Sequence, residues 1–209
     1  MPYGYLGQNT PNQTVSNSGV FSISDVADLE KQGKFGGSLE FIEEQTASSD
    51  SSVDFTTLYN YDVHLLQADN HQPSVQSHLT LRFSNNGGTS FISSGYQYAL
   101  QYGGSTGTNG ETRSTSVGYA GLVTSNSTTQ PHSAYIYLYN LTNSSKYSFT
   151  TFHSVAEDST GQFYYHFGGA VLPTAETHNA IRILNQTGTG TFSGTYKLYG
   201  VKQLWVLWD

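Results

Sequence analysis

The sequence predicts an all-β protein: a single antiparallel β-sandwich or jelly roll with one short N-terminal helix and extended terminal arms. Three observations predict it. Charged residues fill only 11% of the 209 positions, against roughly a quarter in ordinary soluble domains. The chain instead holds 16 Tyr, 11 Phe and 22 Gly with abundant Ser and Thr, and β-branched, aromatic and hydroxyl side chains suit a pleated, half-buried surface. Apolar residues recur with period two along most of the length, the pattern of strands with one buried face.

Residues 1–20 form a Gly-, Asn- and Gln-rich arm with apolar points at Tyr3, Tyr5 and Leu6. An arm with so little core potential is ordered most easily by lying on a neighbouring chain. A sandwich domain is expected over residues 21–202, opening with a short helix near 23–32 in SISDVADLEKQ. Ser22 or Ser24 caps that helix, Asp25 and Asp28 suit its positive end, and Lys31 suits its last turn. Val26 and Leu29 share one face, and Gly33 closes it.

From Gly37 the period changes to two, with Leu39 and Phe41, then Val53, Phe55 and Thr57, then Tyr59, Tyr61, Val63 and Leu65. Leu79, Leu81 and Phe83 alternate with Thr80, Arg82 and Ser84. The run NNGG at 85–88 marks a turn, because Asn and Gly tolerate positive φ. Strands are expected next around Phe91 and over Tyr96–Tyr102. Residues 103–116, GGSTGTNGETRSTS, hold no apolar side chain and read as a long loop. Further strands follow at Tyr119–Val123, around Tyr135, Tyr137 and Tyr139, at 146–152, Phe163–Phe167, Ile181–Leu184 and Thr195–Val201. In all, nine to eleven strands are expected. The apolar tail 203–209 carries Leu204, Trp205, Leu207 and Trp208. It either closes the core as an extra strand or anchors a partner, as indoles commonly do.

Charge and composition narrow the partners. The net charge of −7 and the scattered cations, Lys31, Lys34, Arg82, Arg113, Lys146, Arg182, Lys197 and Lys202, leave no basic stripe for nucleic acid or an anionic membrane. Zero cysteine removes disulfides and thiolate metal sites. The N-terminal stretch has neither a basic region nor an apolar core and does not read as a signal peptide. No stretch reaches the ~20 apolar residues of a membrane span.

Candidate reactive groups read more plainly as structure. His64, His71 and His78 recur every seven residues, an odd step that alternates faces in a strand. QADNHQPS between them reads as a loop, so solvated or locally bonded imidazoles are expected, with no metal. His153 and His166 lie in adjacent strands and are candidates to meet across a hairpin. Glu40, Glu43 and Glu44 form the one local acidic cluster. Carboxylates about 5–9 Å apart in a cleft would suit glycoside hydrolysis, but a solvated strand edge explains them without a substrate. No nucleophile-elbow, zinc-protease or phosphate-loop motif is present, and no catalytic residue or cofactor is expected. Tyr135, Tyr137 and Tyr139 line one face of a strand, and Tyr164 and Tyr165 join them as candidates. They suit either a glycan-stacking platform or ordinary cross-strand packing.

Three stretches carry a resemblance. NSGVFSISDVADLEKQGKFGGS at 17–38, SSVDFTTLYNYDVHLLQ at 51–67 and SGTYKLYGVK at 193–202 resemble a group of structural proteins of tailed phages, particularly marine and cyanobacterial ones. The resemblance implies a virion component with a jelly-roll-like β domain, often multimeric, displayed on the capsid or attached to the tail and made in the host bacterial cytoplasm. It supplies no active-site residues, and LWVLWD at 204–209 departs from the group's ending. The expectation is a non-enzymatic capsid decoration or cement protein. It would assemble with itself, a trimer being favoured, and with major capsid or tail proteins. Tyr3, Tyr5, Leu6, Leu204, Trp205, Leu207 and Trp208 are the expected contacts. A tail or fibre appendage and a host-glycan-binding module using Tyr135, Tyr137 and Tyr139 are the alternatives.

Overall fold

A computed structural model describes residues 39–123, 127–186 and 188–202. The expected arm 1–20, the helix near 23–32 and the tail 203–209 lie outside the described residues, and with them Tyr3, Tyr5, Leu6, Leu204, Trp205, Leu207 and Trp208. The chain divides into two compact units, Phe41–Val201 and a second made of Met1–Glu40 with Lys202–Asp209. In the second, Lys202 Nζ pairs with a Glu40 carboxylate oxygen at 3.3 Å.

The described residues form twelve strands: β1 Leu39–Asp50, β2 Ser52–Phe55, β3 Val63–Pro73, β4 Leu79–Ser84, β5 Tyr96–Gly104, β6 Asn109–Val117, β7 Ala120–Val123, β8 His132–Tyr139, β9 Ser148–Glu157, β10 Phe163–Leu172, β11 Ala180–Asn185 and β12 Phe192–Val201. They make the expected antiparallel sandwich. One sheet has eight strands in the order β1-β12-β3-β8-β9-β10-β5-β6, and the other has four in the order β2-β11-β4-β7. The alternation read from the sequence decides the layering. In β8, Ala134, Ile136 and Leu138 point into the core while the three tyrosines point out. The small sheet contributes Val53, Phe55, Leu79, Leu81, Phe83, Ile181 and Ile183 to the same core, with Leu66, Tyr96, Phe192, Tyr196 and Leu198 from the large one. Each such buried side chain is worth ~1.5–3 kcal/mol against leaving it in water. The NNGG turn forms as expected, with Gly87 and Gly88 at φ 72° and 86°.

Three expectations need correction. The stretch 103–116 is not a loop: its first residues end β5, Gly107 at φ 87° turns the chain, and β6 returns alongside. Backbone pairing from Gly103↔Asn109 to Tyr96↔Val117 holds it. As a sheet-edge strand β6 needs no apolar side chain, so the hydrophobic signal is absent where the strand is present. Conversely, Phe91 lies in a connection rather than a strand, its ring 4.1 Å beneath the Arg182 guanidinium. The same correction, a strand expected where a connection lies, covers Tyr59 and Tyr61, which precede β3 in a tight turn where the Tyr61 amide donates to the Tyr59 carbonyl at 2.9 Å.

The third correction concerns His71. β3 runs through QADNHQP, and its register slips between Ala68 and His71, where Asn70 adopts φ 55°. One extra residue at a bulge reverses the facing of everything beyond it. His64 and His71, seven apart, therefore both point inward and are wholly buried.

Candidate functional site

The outer face of the large sheet carries more exposed aromatic surface than any strand-by-strand count suggested. Residues directly opposite on neighbouring strands share a face. One outward row accordingly runs Gln67, Tyr135, His153, Phe167, Gln101, Glu111 across β3, β8, β9, β10, β5 and β6. The next runs Ser133, Val155, Tyr165, Gly103. Tyr135, Phe149, Val155, Phe163, Tyr165 and Phe167 are each 40–49% exposed. Tyr165 and Phe167 stack at 6° with centroids 6.3 Å apart. Gly103 lies opposite Tyr165, and a Cβ there would come within 2.6 Å of the Tyr165 ring, so any larger residue would push that ring aside.

Between Tyr135, Val155, Tyr165 and Phe167 the surface dips into a groove of about 530 Å³, with Gln67, Asp69 and Ser133 on its polar side. The expected tyrosine platform is on this face but is not flat. Tyr135 and Tyr137 meet edge to face at 79°, Tyr137 and Tyr139 stack at 29°, and only Tyr135 lines the groove. The hydroxyls have partners within the sheet: Tyr139 with Thr151 at 3.0 Å, and Tyr135 with His153 Nδ1. Tyr165, expected beside the ladder, does reach the groove with Tyr135, whereas Phe163 and Phe167 were legible as a strand but not as this surface. Tyr164 and His166 alternate with them, so period two did not say which set faces out.

The inner face at one end of the sandwich is polar. His71 and His132 meet with centroids 4.7 Å apart, and His166 lies in the same layer, 2% exposed. His153 and His166 sit on adjacent strands but do not meet: His153 opposes Phe167, and His166 opposes Ser154. The Tyr196 hydroxyl and His71 Nδ1 share a hydrogen bond of 2.5 Å. His71 Nε2, both nitrogens of His132, and Nδ1 of His78 and His166 are buried without a hydrogen-bond partner. Burial pushes His132 and His166 down to about 4, neighbouring imidazoles adding to the effect. It holds His71 well below its ordinary value, and His78 below it. Of the imidazoles expected to be solvated or locally bonded, His64 is locally bonded, its Nε2 3.1 Å from the Tyr59 carbonyl oxygen, and is buried; His71 is buried and bonded to the distant Tyr196, and His78 is half-buried. Among the described residues no three His, Asp or Glu side chains are arranged to share a metal ion.

One Ser–His–Glu set lies in the interior, and the acidic cluster lies at a sheet edge. The Ser148 hydroxyl bonds His178 Nδ1 at 2.7 Å, and His178 Nε2 meets Glu176 at 3.3 Å. Ser148 and His178 are wholly buried. The ring is also reversed relative to a hydrolase relay, where the nucleophile sits on Nε2. Glu43 and Glu44 lie on β1, the edge of the large sheet, with Glu44 3.9 Å from Lys197. The fold and its surfaces define an antiparallel β-sandwich with an exposed aromatic sheet face and a polar interior end. Comparison of the chain with protein-family models, curated proteins and solved structures found no match.

Proposed function

We propose that this chain is a non-enzymatic structural protein of a tailed-phage virion, a capsid decoration protein that covers its outer sheet face against copies of itself and the capsid. The observation that carries the reading is the set of six half-exposed large side chains on the outer face of β8, β9 and β10, four of which, Tyr135, Val155, Tyr165 and Phe167, surround one groove. Contiguous exposed apolar surface of this kind marks an interaction site. The face bears few charges, and two of these, Lys197 and Asp69, face each other at 3.7 Å. The resemblance of residues 17–38, 51–67 and 193–202 to phage structural proteins supports the same reading.

Magnitudes favour a lattice over a tight isolated dimer. Covering each half-exposed side chain is worth roughly 1 kcal/mol, so the ~6 kcal/mol from six of them meets only the low end of the ~4–15 kcal/mol cost of association. A face of that strength becomes effective when repeated on a symmetric shell, and a trimer fits threefold positions. The test is light-scattering mass measurement of the purified chain, together with its binding to capsids that lack it. Wild type should oligomerise and decorate the particles, and Val155→Asp with Phe167→Asp should do neither while remaining folded. A strictly monomeric wild type that ignores such capsids would end this reading. Particle imaging then distinguishes a capsid position from the tail or a fibre.

A further inference from the structure

We propose that a second site, the polar pocket at the inner end of the sandwich between His78, Tyr102, Thr112, Tyr164 and His166, binds one neutral sugar residue. The pocket has a volume of about 320 Å³, at the small end of the ~300–1,000 Å³ typical of ligand sites, and so suits a single ring. It opens on the inner side of the sheet, because His166 and Phe167 are consecutive in β10 and point to opposite sides, and His166 is the one residue that it shares with the lining of the outer groove. It stands independently of the assembly reading.

The lining fits a polyol. His166 is 2% exposed, yet its Nδ1 has no partner, and the same holds for Nδ1 of His78. Buried polar atoms in folded proteins are satisfied as a rule, so these two point to a hydrogen-bonding occupant. A neutral imidazole offers one donor and one acceptor, and burial keeps both rings neutral near neutral pH. The Thr112 and Thr108 hydroxyls add groups of the same amphoteric kind. Tyr164 and His166 stack at 19° with centroids 6.3 Å apart, and Tyr102 is tilted 37° to His166. These rings give an apolar wall for the C–H face of a pyranose.

Charge selects among sugars. Glu157 and Asp158 lie at the pocket, and no Lys or Arg lines it among the described residues, which disfavours anionic ligands. The Asp158 carboxylate is already engaged by the Thr160 hydroxyl and the Thr160 and Gln162 amides at 2.7–3.0 Å. It therefore sets the sign of the local field rather than holding a ligand ammonium.

The full chain would be titrated with the methyl glycosides of glucose, galactose and mannose, and with N-acetylneuraminic acid. The readouts are calorimetry and the imidazole nitrogen resonances. At least one neutral glycoside should bind with a millimolar dissociation constant and move the His78 and His166 resonances, and the anionic sugar should do neither. Thr112→Val, an isosteric change on an edge strand, and Tyr164→Ala should each weaken binding about tenfold or more. If Tyr164→Ala unfolds, Thr112→Val decides. Tyr135→Ala, on the outer face, should leave the affinity unchanged. Silence of both imidazoles with all three neutral glycosides overturns the proposal, as does full affinity in Thr112→Val or equal binding of the anionic sugar.

Discussion

At the scale of single residues, the least ordinary feature is an interior end built from imidazole where sandwiches usually place hydrocarbon. His132 has His71 against it at 4.7 Å, and the charges of His166 and His78 would oppose its own. The Ser77 and Ser154 hydroxyls are likewise buried without partners. In an unfolded chain each imidazole titrates near its ordinary value of ~6.5, whereas burial lowers His132 and His166 to about 4 in the native state. Above ~6.5 both states are neutral, and no proton-linked cost arises. Between ~6.5 and ~4 the unfolded chain takes up protons that the native state refuses, so stability falls with pH through that window and stays lost below it. Each group contributes on the order of 3 kcal/mol to that loss. The urea midpoint should therefore drop steeply from neutral pH to about pH 5, and His132→Phe should flatten the slope. A midpoint independent of pH across the window would contradict this account.

Gly168 makes a second residue-scale case. A Cβ there would meet the Ala99 carbonyl oxygen, and it would lie 2.7 Å from the Leu100 Cα on the paired strand. The obstacle is backbone, so β10 and β5 must separate to admit it. Gly168→Ala should cost about 1–3 kcal/mol, read as a lower thermal midpoint. Gly87, by contrast, has open space around its Cβ position, and substitution there meets only the penalty of its positive φ.

At the scale of elements, β11 shows how two strands tolerate an awkward register. Arg182 in β11 lies directly opposite Arg82 in β4, a like-charge pair that destabilises a sheet when left alone. Each arginine has its own partner. Arg182 makes a bidentate bond to Asp54 on β2, both contacts at 2.7 Å, and Arg82 Nε donates to the Gly118 carbonyl at 2.8 Å. Asp54 thus ties edge strand β2 to β11 and also neutralises the repulsion. Asp54→Ala should cost about 1–2 kcal/mol, allowing for partial exposure. Adding Arg82→Met should return part of that loss, a non-additivity measurable by a double-mutant cycle. Strict additivity would show that the two arginines do not interact.

The same scale explains what the sequence could disclose. Alternation located β8 and its outward tyrosines because Ile136 and Leu138 mark the buried side unambiguously. It passed over β6, whose stability comes from backbone pairing at an edge, and it misfaced His71 because a single bulge residue at Asn70 inverts the count. In β10 aromatic residues occupy both faces, so the strand was evident and its outer surface was not. The inner pocket was hidden for a further reason. It joins His78, just ahead of β4, and Thr112, from a stretch that read as a loop, to Tyr102, Tyr164 and His166, and only the pairing of β5 with β6 and β10 brings the strand residues together.

For the whole molecule, the proposed assembly through the outer face turns on which force would hold copies together. The chain carries a net charge of −7, so like copies repel at long range. The outer sheet face offers mainly aromatic and aliphatic carbon, with Glu111 and Arg113 paired at 3.0 Å on edge strand β6. Salt screens the repulsion over a Debye length of ~10 Å at 0.1 M and leaves apolar burial intact, whereas an assembly driven by ion pairs would loosen. Apolar burial also weakens on cooling, because its driving force near room temperature is entropic. Self-association measured by sedimentation should therefore hold steady or tighten, within about threefold, over a tenfold rise in salt, and should loosen toward 0 °C. Steep dissociation by salt would place the contact on charged edges such as β1 and β6 and leave the aromatic face without its assigned role.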